Sequence, residues 1–270
     1  MSEKYVAVLM YHALEEKLYD SGFTEPGDRI YVVSAKEFRE QMQYLFSAGY
    51  RTLLLRELDR IEDFQGLKKI VITFDDGHES NYRIAYPILK DFGFKGDFLI
   101  TTNFVNTKNF LREKQIKFMY DSGMGIGSHG ASHRFLADLE PELIQKELSD
   151  SKKILERVIR DSVTNFSAPG GRINEIIINL AKENGYRIIC TSEPKLFPLE
   201  IKDFIIPRYA IRASTSLKDF RLIVDQKEKW YSSQSNRQLI LGYLKIILGN
   251  NKYEYFRKLT FRILVWMKFV

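Results

Sequence analysis

Two adjacent carboxylates, Asp75 and Asp76, stand at the end of an almost continuously apolar run, Lys69–Phe74, and Gly77 follows them. Further along, the short run Met124–Ser128 opens into His129-Gly130-Ala131-Ser132-His133, with two histidines four residues apart. A third run, Val163–Ser167, opens into Ala168-Pro169-Gly170-Gly171. Neighbouring carboxylates at the end of a buried strand repel each other. A divalent cation relieves that repulsion, and two histidines at this spacing commonly complete such a site. One Asp with two His leaves coordination positions open, so a bound ion can polarise a carbonyl and activate water near neutral pH. The other carboxylate is then free to act as general base. These parts suit hydrolysis of an amide or an ester. Each alone has a plainer reading, since Asp-Gly is a common turn and a histidine pair can sit in a loop without metal. Their order on successive strand ends is what carries the chemistry.

Loops of this kind need rigid strands beneath them. Short apolar runs alternate with amphipathic stretches along the chain, the pattern of parallel strands joined by helices. The spacing predicts strands at Tyr5–Met10, Thr52–Leu55, Lys69–Phe74, Gly96–Thr101, Met124–Ser128, Val163–Ser167, Tyr186–Cys190 and Phe204–Arg208. Helices are expected from Ser34, where Glu37 completes a capping box, and over Asn81–Asp91, Arg112–Ser122, Pro141–Arg160 and Asn174–Asn184. Along Pro141–Arg160, Leu143, Glu147, Ile154 and Val158 mark the turns. The succession favours an α/β fold, a closed or nearly closed (β/α) barrel, over an open sheet, and in such barrels the site lies at the carboxyl ends of the strands. Residues 1–225 are expected to form the barrel and 226–270 a basic helical C-terminal extension.

Thr-Phe-Asp-Asp-Gly at 73–77, followed by His-x-x-x-His at 129–133, resembles the motifs of the NodB-type polysaccharide deacetylases. The family's third motif carries an Arg two residues before its Pro, where this chain has Ser167, and in the family that Arg orients the catalytic Asp. The late Trp and Leu-x-x-His segments of the family are absent, and no histidine follows His133. Leu9-Met10-Tyr11-His12 is instead similar to the opening of a permuted branch that includes poly-N-acetylglucosamine deacetylases. The resemblance implies a distorted, seven-stranded barrel. It implies Asp75 as general base, one divalent metal (zinc by default) on Asp76, His129 and His133, and His12 as the acid that protonates the leaving group. Pro169, Gly170, Gly171 and Tyr11 would meet substrate, with the N–H of Gly170 or Gly171 facing the oxyanion. Such an enzyme deacetylates a glycan or glycolipid. A hydrolase of a small cyclic amide or imide, and a glycan-binding relative without activity, are the alternatives. His12 read alone could be a hydrogen-bonded structural residue. His78 reads as a supporting or surface residue, and Cys190, the only cysteine, as a buried strand residue.

At 270 residues, 44% apolar and 28% charged, the chain can bury a core without disulfides or a structural metal. The apolar start is too short and too interrupted for a signal peptide, and no stretch approaches a membrane span, so a cytoplasmic location is expected. Charge is unevenly spread: Lys227–Val270 holds nine basic and two acidic residues, whereas the rest is near neutral. Phe256, Leu259, Ile263, Trp266 and Val270 fall on one helical stripe, opposite Arg257, Lys258, Arg262 and Lys268. That pattern suits either packing on the barrel or peripheral docking to an anionic membrane surface. No nucleic-acid partner is expected.

Overall fold

The computed structural model describes residues 5–58, 68–198 and 205–225. The expectations for the tail, including the stripe from Phe256 to Val270, fall outside them. Strand β1 (Tyr5–Tyr11) leads to β2 (Ala13–Glu15), the one-turn helix α1 (Pro26–Arg29) and β3 (Val32–Ser34), which pairs in parallel with β2. Helix α2 (Ala35–Ser47) begins at the expected capping box: Ser34 Oγ accepts from the Glu37 N–H while the Glu37 carboxylate accepts from the Ser34 N–H. Then follow β4 (Tyr50–Leu53), β5 (Lys68–Phe74), α3 (Tyr86–Asp91), β6 (Asp97–Ile100), α4 (Glu113–Asp121) and β7 (Gly125–Ser128). The chain continues through α5 (Pro141–Ile159), β8 (Asn165–Ser167), α6 (Glu175–Glu183), β9 (Ile188–Cys190), β10 (Phe197–Pro198), β11 (Ile205–Ile206), β12 (Tyr209–Ala210) and α7 (Leu217–Val224).

Strands β1, β5, β6, β7, β8, β9 and β11 follow one another in parallel around one sheet. Just beyond β11, β12 returns to β1, setting Leu9 beside Tyr209 and Met10 beside Ala210. The segment 205–210 therefore joins the last strand to the first, and the sheet nearly closes into the expected barrel. Two strands lie off this ring: β4 pairs with the first half of β5, and β10 runs antiparallel to the start of β1.

Side chains alternate across a strand, and this period sets what the barrel holds. Val6 and Val8, Val71, Leu99, Ile188 and Cys190, and Ile206 meet in one buried cluster inside it. The same parity carries inward Thr73 and Asp75 beyond Val71, Ser167 beyond Asn165, Arg208 beyond Ile206, and His12 beyond Val8 and Met10. The opposite parity faces the helices, where Tyr11, Phe74 and Phe98 stack at 5.4 and 4.9 Å between ring centroids.

Three expectations need correction. The strand expected at Thr52–Leu55 runs over Tyr50–Leu53, and Leu55 opens a 3-10 turn instead. The helix expected over Asn81–Asp91 is a π turn over Asn81–Ala85 that tightens into α3. Pro87, with no N–H to give, sits where the ladder changes. On α5 the buried face is Ile144, Leu148, Ser151, Leu155 and Ile159 together with Glu147, and Leu143 is 43% exposed. The apolar pairs Leu143-Ile144, Ile154-Leu155 and Val158-Ile159 leave the helix phase open by one residue, and packing against the sheet decides it.

Candidate active site

The end of β5 delivers Asp75 into the top of the barrel, its N–H donating to the Tyr11 carbonyl at 2.9 Å. Its carboxylate meets Arg208, a residue that the reading of motifs did not single out. Arg208 is fully buried and forks onto Asp75, Nη1 to Oδ1 and Nη2 to Oδ2, both at 2.7 Å. Its other donors reach Thr73 Oγ1, Ser167 Oγ and the Thr191 carbonyl, so all five N–H groups are used. Ser167 Oγ also donates to Asp75 Oδ2 at 3.1 Å. Burial pushes the Asp75 carboxyl up, but the Arg208 guanidinium, with His129 behind it, more than offsets this. The group lies below its ordinary range and is ionised. The Arg missing two residues before Pro169 has thus been supplied by the closing segment of the barrel.

Asp76 turns the other way. Its backbone is left-handed (φ 74), and so is that of Gly77 (φ 79), where a Cβ would stand 2.9 Å from Ile100 Cγ2. Only glycine fits there, which accounts for the Asp-Asp-Gly order. Asp76 Oδ1 lies 3.2 Å from His133 Nε2 and 3.4 Å from His129 Nε2, buried and without a hydrogen bond of good geometry. His129 Nδ1 stands 2.9 Å from the Ser167 carbonyl. A carbonyl only accepts, so Nδ1 carries the proton and Nε2 presents its lone pair to Asp76. Among the described residues Asp76, His129 and His133 offer ligand atoms all within 4.8 Å of one another. A carboxylate oxygen facing an imidazole lone pair is a repulsive arrangement that a divalent cation would resolve, and the donor set fits one. Burial lowers His129 below its usual value and favours the neutral imidazole a metal needs. For His133 burial also lowers, but Asp76 wins and the net shift is upward.

His12 follows β1, the strand beside β5, where a positive charge on its ring would favour the ionised forms of both Asp75 and Asp76. Its Nδ1 is buried without a partner, its ring packs 4.6 Å from that of Tyr31, and its carbonyl accepts from Asn81 Nδ2 at 2.8 Å. Tyr11, expected to meet substrate, does not reach it. The side chain is fully buried on the helix side of β1 and donates to Gln41 Oε1 at 2.7 Å. Strand alternation sends it away from the groove that its neighbour His12 faces. Pro169, Gly170 and Gly171 form a tight turn at the end of β8. The Gly171 N–H donates to the Ala168 carbonyl at 2.7 Å, which removes it as an oxyanion donor and leaves Gly170. His78 is a buried clamp rather than a surface residue, bonded to Ser80 Oγ at 2.8 Å and the Ser21 carbonyl at 2.9 Å. Cys190 is buried in β9, as expected.

The family described as polysaccharide deacetylase matches residues 65–189. A Bacillus subtilis protein named as a candidate polysaccharide deacetylase, YxkH, is 35% identical over 190 residues, 69% of this chain and 64% of the relative. The chain thus spans just under two thirds of that protein's length. The poly-beta-1,6-N-acetyl-D-glucosamine N-deacetylase of Staphylococcus epidermidis is 26% identical over 198 residues, 67% of this chain and 68% of the relative. The solved structure of the Streptococcus pyogenes deacetylase PplD in complex with acetate shares the fold. Its TM-score is 0.73 at 24% identity, over 82% of this chain and 98% of that one. The family match takes in Asp75, Asp76, His129, His133 and the turn after β8, while His12 and Arg208 come from either side of it. With its motifs in family order on a barrel of the same fold, the chain is similar to the polysaccharide deacetylase family over residues 65–189.

Proposed function

We propose that this chain is a hydrolase that removes N-acetyl groups from a glycan of the poly-N-acetylglucosamine kind, with one zinc ion on Asp76, His129 and His133. The observation that carries this reading is the pairing of two unlike carboxylates at one strand end. Asp75 is locked in a guanidinium fork, while Asp76 Oδ1 faces two imidazole nitrogens within 3.4 Å. When bound there, a divalent cation supplies a Lewis acid for the acetyl carbonyl and lowers the pKa of water. Asp75, ionised and fixed in orientation, accepts the proton of the attacking water. His12, at the neighbouring strand end, protonates the departing amine. The Gly170 N–H donates to the developing oxyanion. Arg208 speaks against a binding protein without activity, because it supplies a guanidinium that orients Asp75.

The test is acetate release from β-1,6-linked N-acetylglucosamine oligomers by the purified chain, with chelation abolishing it and added zinc restoring it. Asp75→Asn is expected to abolish release while retaining zinc, since base and ligand are separate functions. Release by Asp75→Asn at the wild-type rate would sink the reading. From the sequence alone we propose, in addition, a cytoplasmic protein whose basic tail docks on an anionic membrane surface carrying a lipid-linked glycan.

A further inference from the structure

Between the two histidines the backbone must satisfy its own N–H groups while both imidazoles reach inward. The His129 N–H donates to the Ile100 carbonyl at 2.9 Å and the Gly130 N–H to Ser128 Oγ at 3.1 Å. The next two N–H groups, of Ala131 and Ser132, both donate to Oε2 of Glu147, at 2.8 and 2.9 Å, and Ser132 Oγ donates to Oε1 of the same carboxylate. Ser128 Oγ in turn donates to Ser151 Oγ at 2.8 Å, and Ser151 Oγ to the Glu147 carbonyl at 2.7 Å. Glu147 and Ser151 are one helical turn apart, so they project together from the buried face of α5. That face is otherwise apolar and becomes polar where the loop passes.

A buried carboxylate is costly unless it is hydrogen-bonded, and an apolar side chain would pack there without that cost. The loop also presses against this carboxylate. Gly130 is left-handed (φ 77), and a Cβ on it would stand 3.3 Å from Glu147 Oε2. His133, at the loop's end, is itself left-handed (φ 62), a conformation that surrounding bonds must hold in a residue other than glycine.

We infer that Glu147 is a positioning residue for the metal site: its carboxylate fixes the backbone at Ala131 and Ser132 so that His129 and His133 face Asp76. This rests on the reading of those three residues as metal ligands. Supports behind metal ligands typically change affinity by about 10–100-fold when removed.

The test compares two substitutions in the full chain, reading zinc affinity by competition with a chromophoric chelator alongside the Tm of the metal-free proteins. Glu147→Asp keeps the charge but withdraws the carboxylate by one methylene. Glu147→Gln loses the charge but keeps the reach, its amide oxygen accepting both N–H groups and its amide N–H facing Ser132 Oγ. Glu147→Asp is expected to weaken zinc binding about 10–100-fold at a Tm similar to that of Glu147→Gln, which stays close to wild type in affinity. Unchanged affinity in Glu147→Asp overturns the inference. So does equal weakening in both variants, which would mean that the reach of the side chain does not set the affinity, or a loss that merely follows Tm. If Glu147→Asp does not fold, Ser132→Ala carries the comparison, and wild-type affinity in that variant overturns the inference too. A wild type that binds no zinc would overturn the ligand reading itself and the inference with it, a result distinct from unchanged variants of a zinc-binding wild type.

Discussion

The guanidinium of Arg208 and the carboxylate of Asp75 are both fully buried, and neither has water to fall back on. Breaking such a pair from one side leaves an uncompensated charge at a cost of about 3–5 kcal/mol. Arg208→Gln is therefore expected to lose stability of that order in urea unfolding. It should also move the acidic limb of the acetate-release profile to higher pH, because the main group that opposes the effect of burial on Asp75 is then gone. A variant with wild-type stability and an unmoved limb would exclude this role. The sign of the wild-type linkage is clear: Asp75 lies below its ordinary pKa in the folded state. Its stabilisation is thus full above the ordinary carboxylate range and disappears as pH falls through the folded value. His12 makes a separable prediction. His12→Ala is expected to bind zinc normally and to lose far more turnover on a sugar amide, with its poor leaving group, than on an activated aryl acetate. Equal losses on the two substrates would remove His12 as the proton donor.

Each site residue leaves its strand with a parity fixed by everything below it. The inward line that ends in Asp75 begins at Val71, and the line that ends in Arg208 begins at Ile206. At the amino end of β6, away from the site, the barrel encloses another acid. Asp97 accepts from the Leu55 N–H at 2.9 Å and from Asn165 Nδ2 at 3.3 Å, tying the turn after β4 and strand β8 to β6. Burial pushes its carboxyl up to about 7 against those bonds. A raised folded pKa means the folded state holds the proton more tightly. The stabilisation is complete below the unfolded value of about 4, declines as pH rises toward 7, and is level beyond. Asp97→Asn lacks that slope, so its Tm should gain on the wild type as pH rises from 4 to 7. Parallel curves of Tm against pH would show that Asp97 does not titrate in this way.

At the scale of the whole chain, closure of the barrel and assembly of the site are one event. The segment 205–210 pairs β9 with its first residues and β1 with its last, and Arg208 lies between them. Mispairing of this segment would open the sheet and leave Asp75 without its partner together. The basic residues beyond Lys227 lie outside the described part, and the prediction for them comes from sequence. Each basic residue near an anionic leaflet contributes about 1 kcal/mol. The full chain is expected to sediment with anionic but not neutral vesicles, less so in high salt, and truncation after Asn251 should abolish this. If the intact chain ignores anionic vesicles and the truncated one becomes insoluble, the tail packs on the barrel instead.

Asp75-Asp76-Gly77 and His129 with His133 were legible in the chain because the chemistry they share is local: one turn and one loop each bring their groups together. The strands and most helices were legible for the same reason, since period and caps act over a few residues. Even Tyr11 was decidable in principle, as alternation cannot send it and His12 into the same groove. Arg208 and Glu147 were not. Arg208 meets Asp75 across 133 positions of sequence, through the register of the closing strand. Glu147 looks like any acid on an amphipathic helix until packing chooses which side of that helix is buried. A motif records what neighbours along the chain can do together; the charge that orients the base and the carboxylate that steadies the loop are set by contacts that exist only once the barrel has closed.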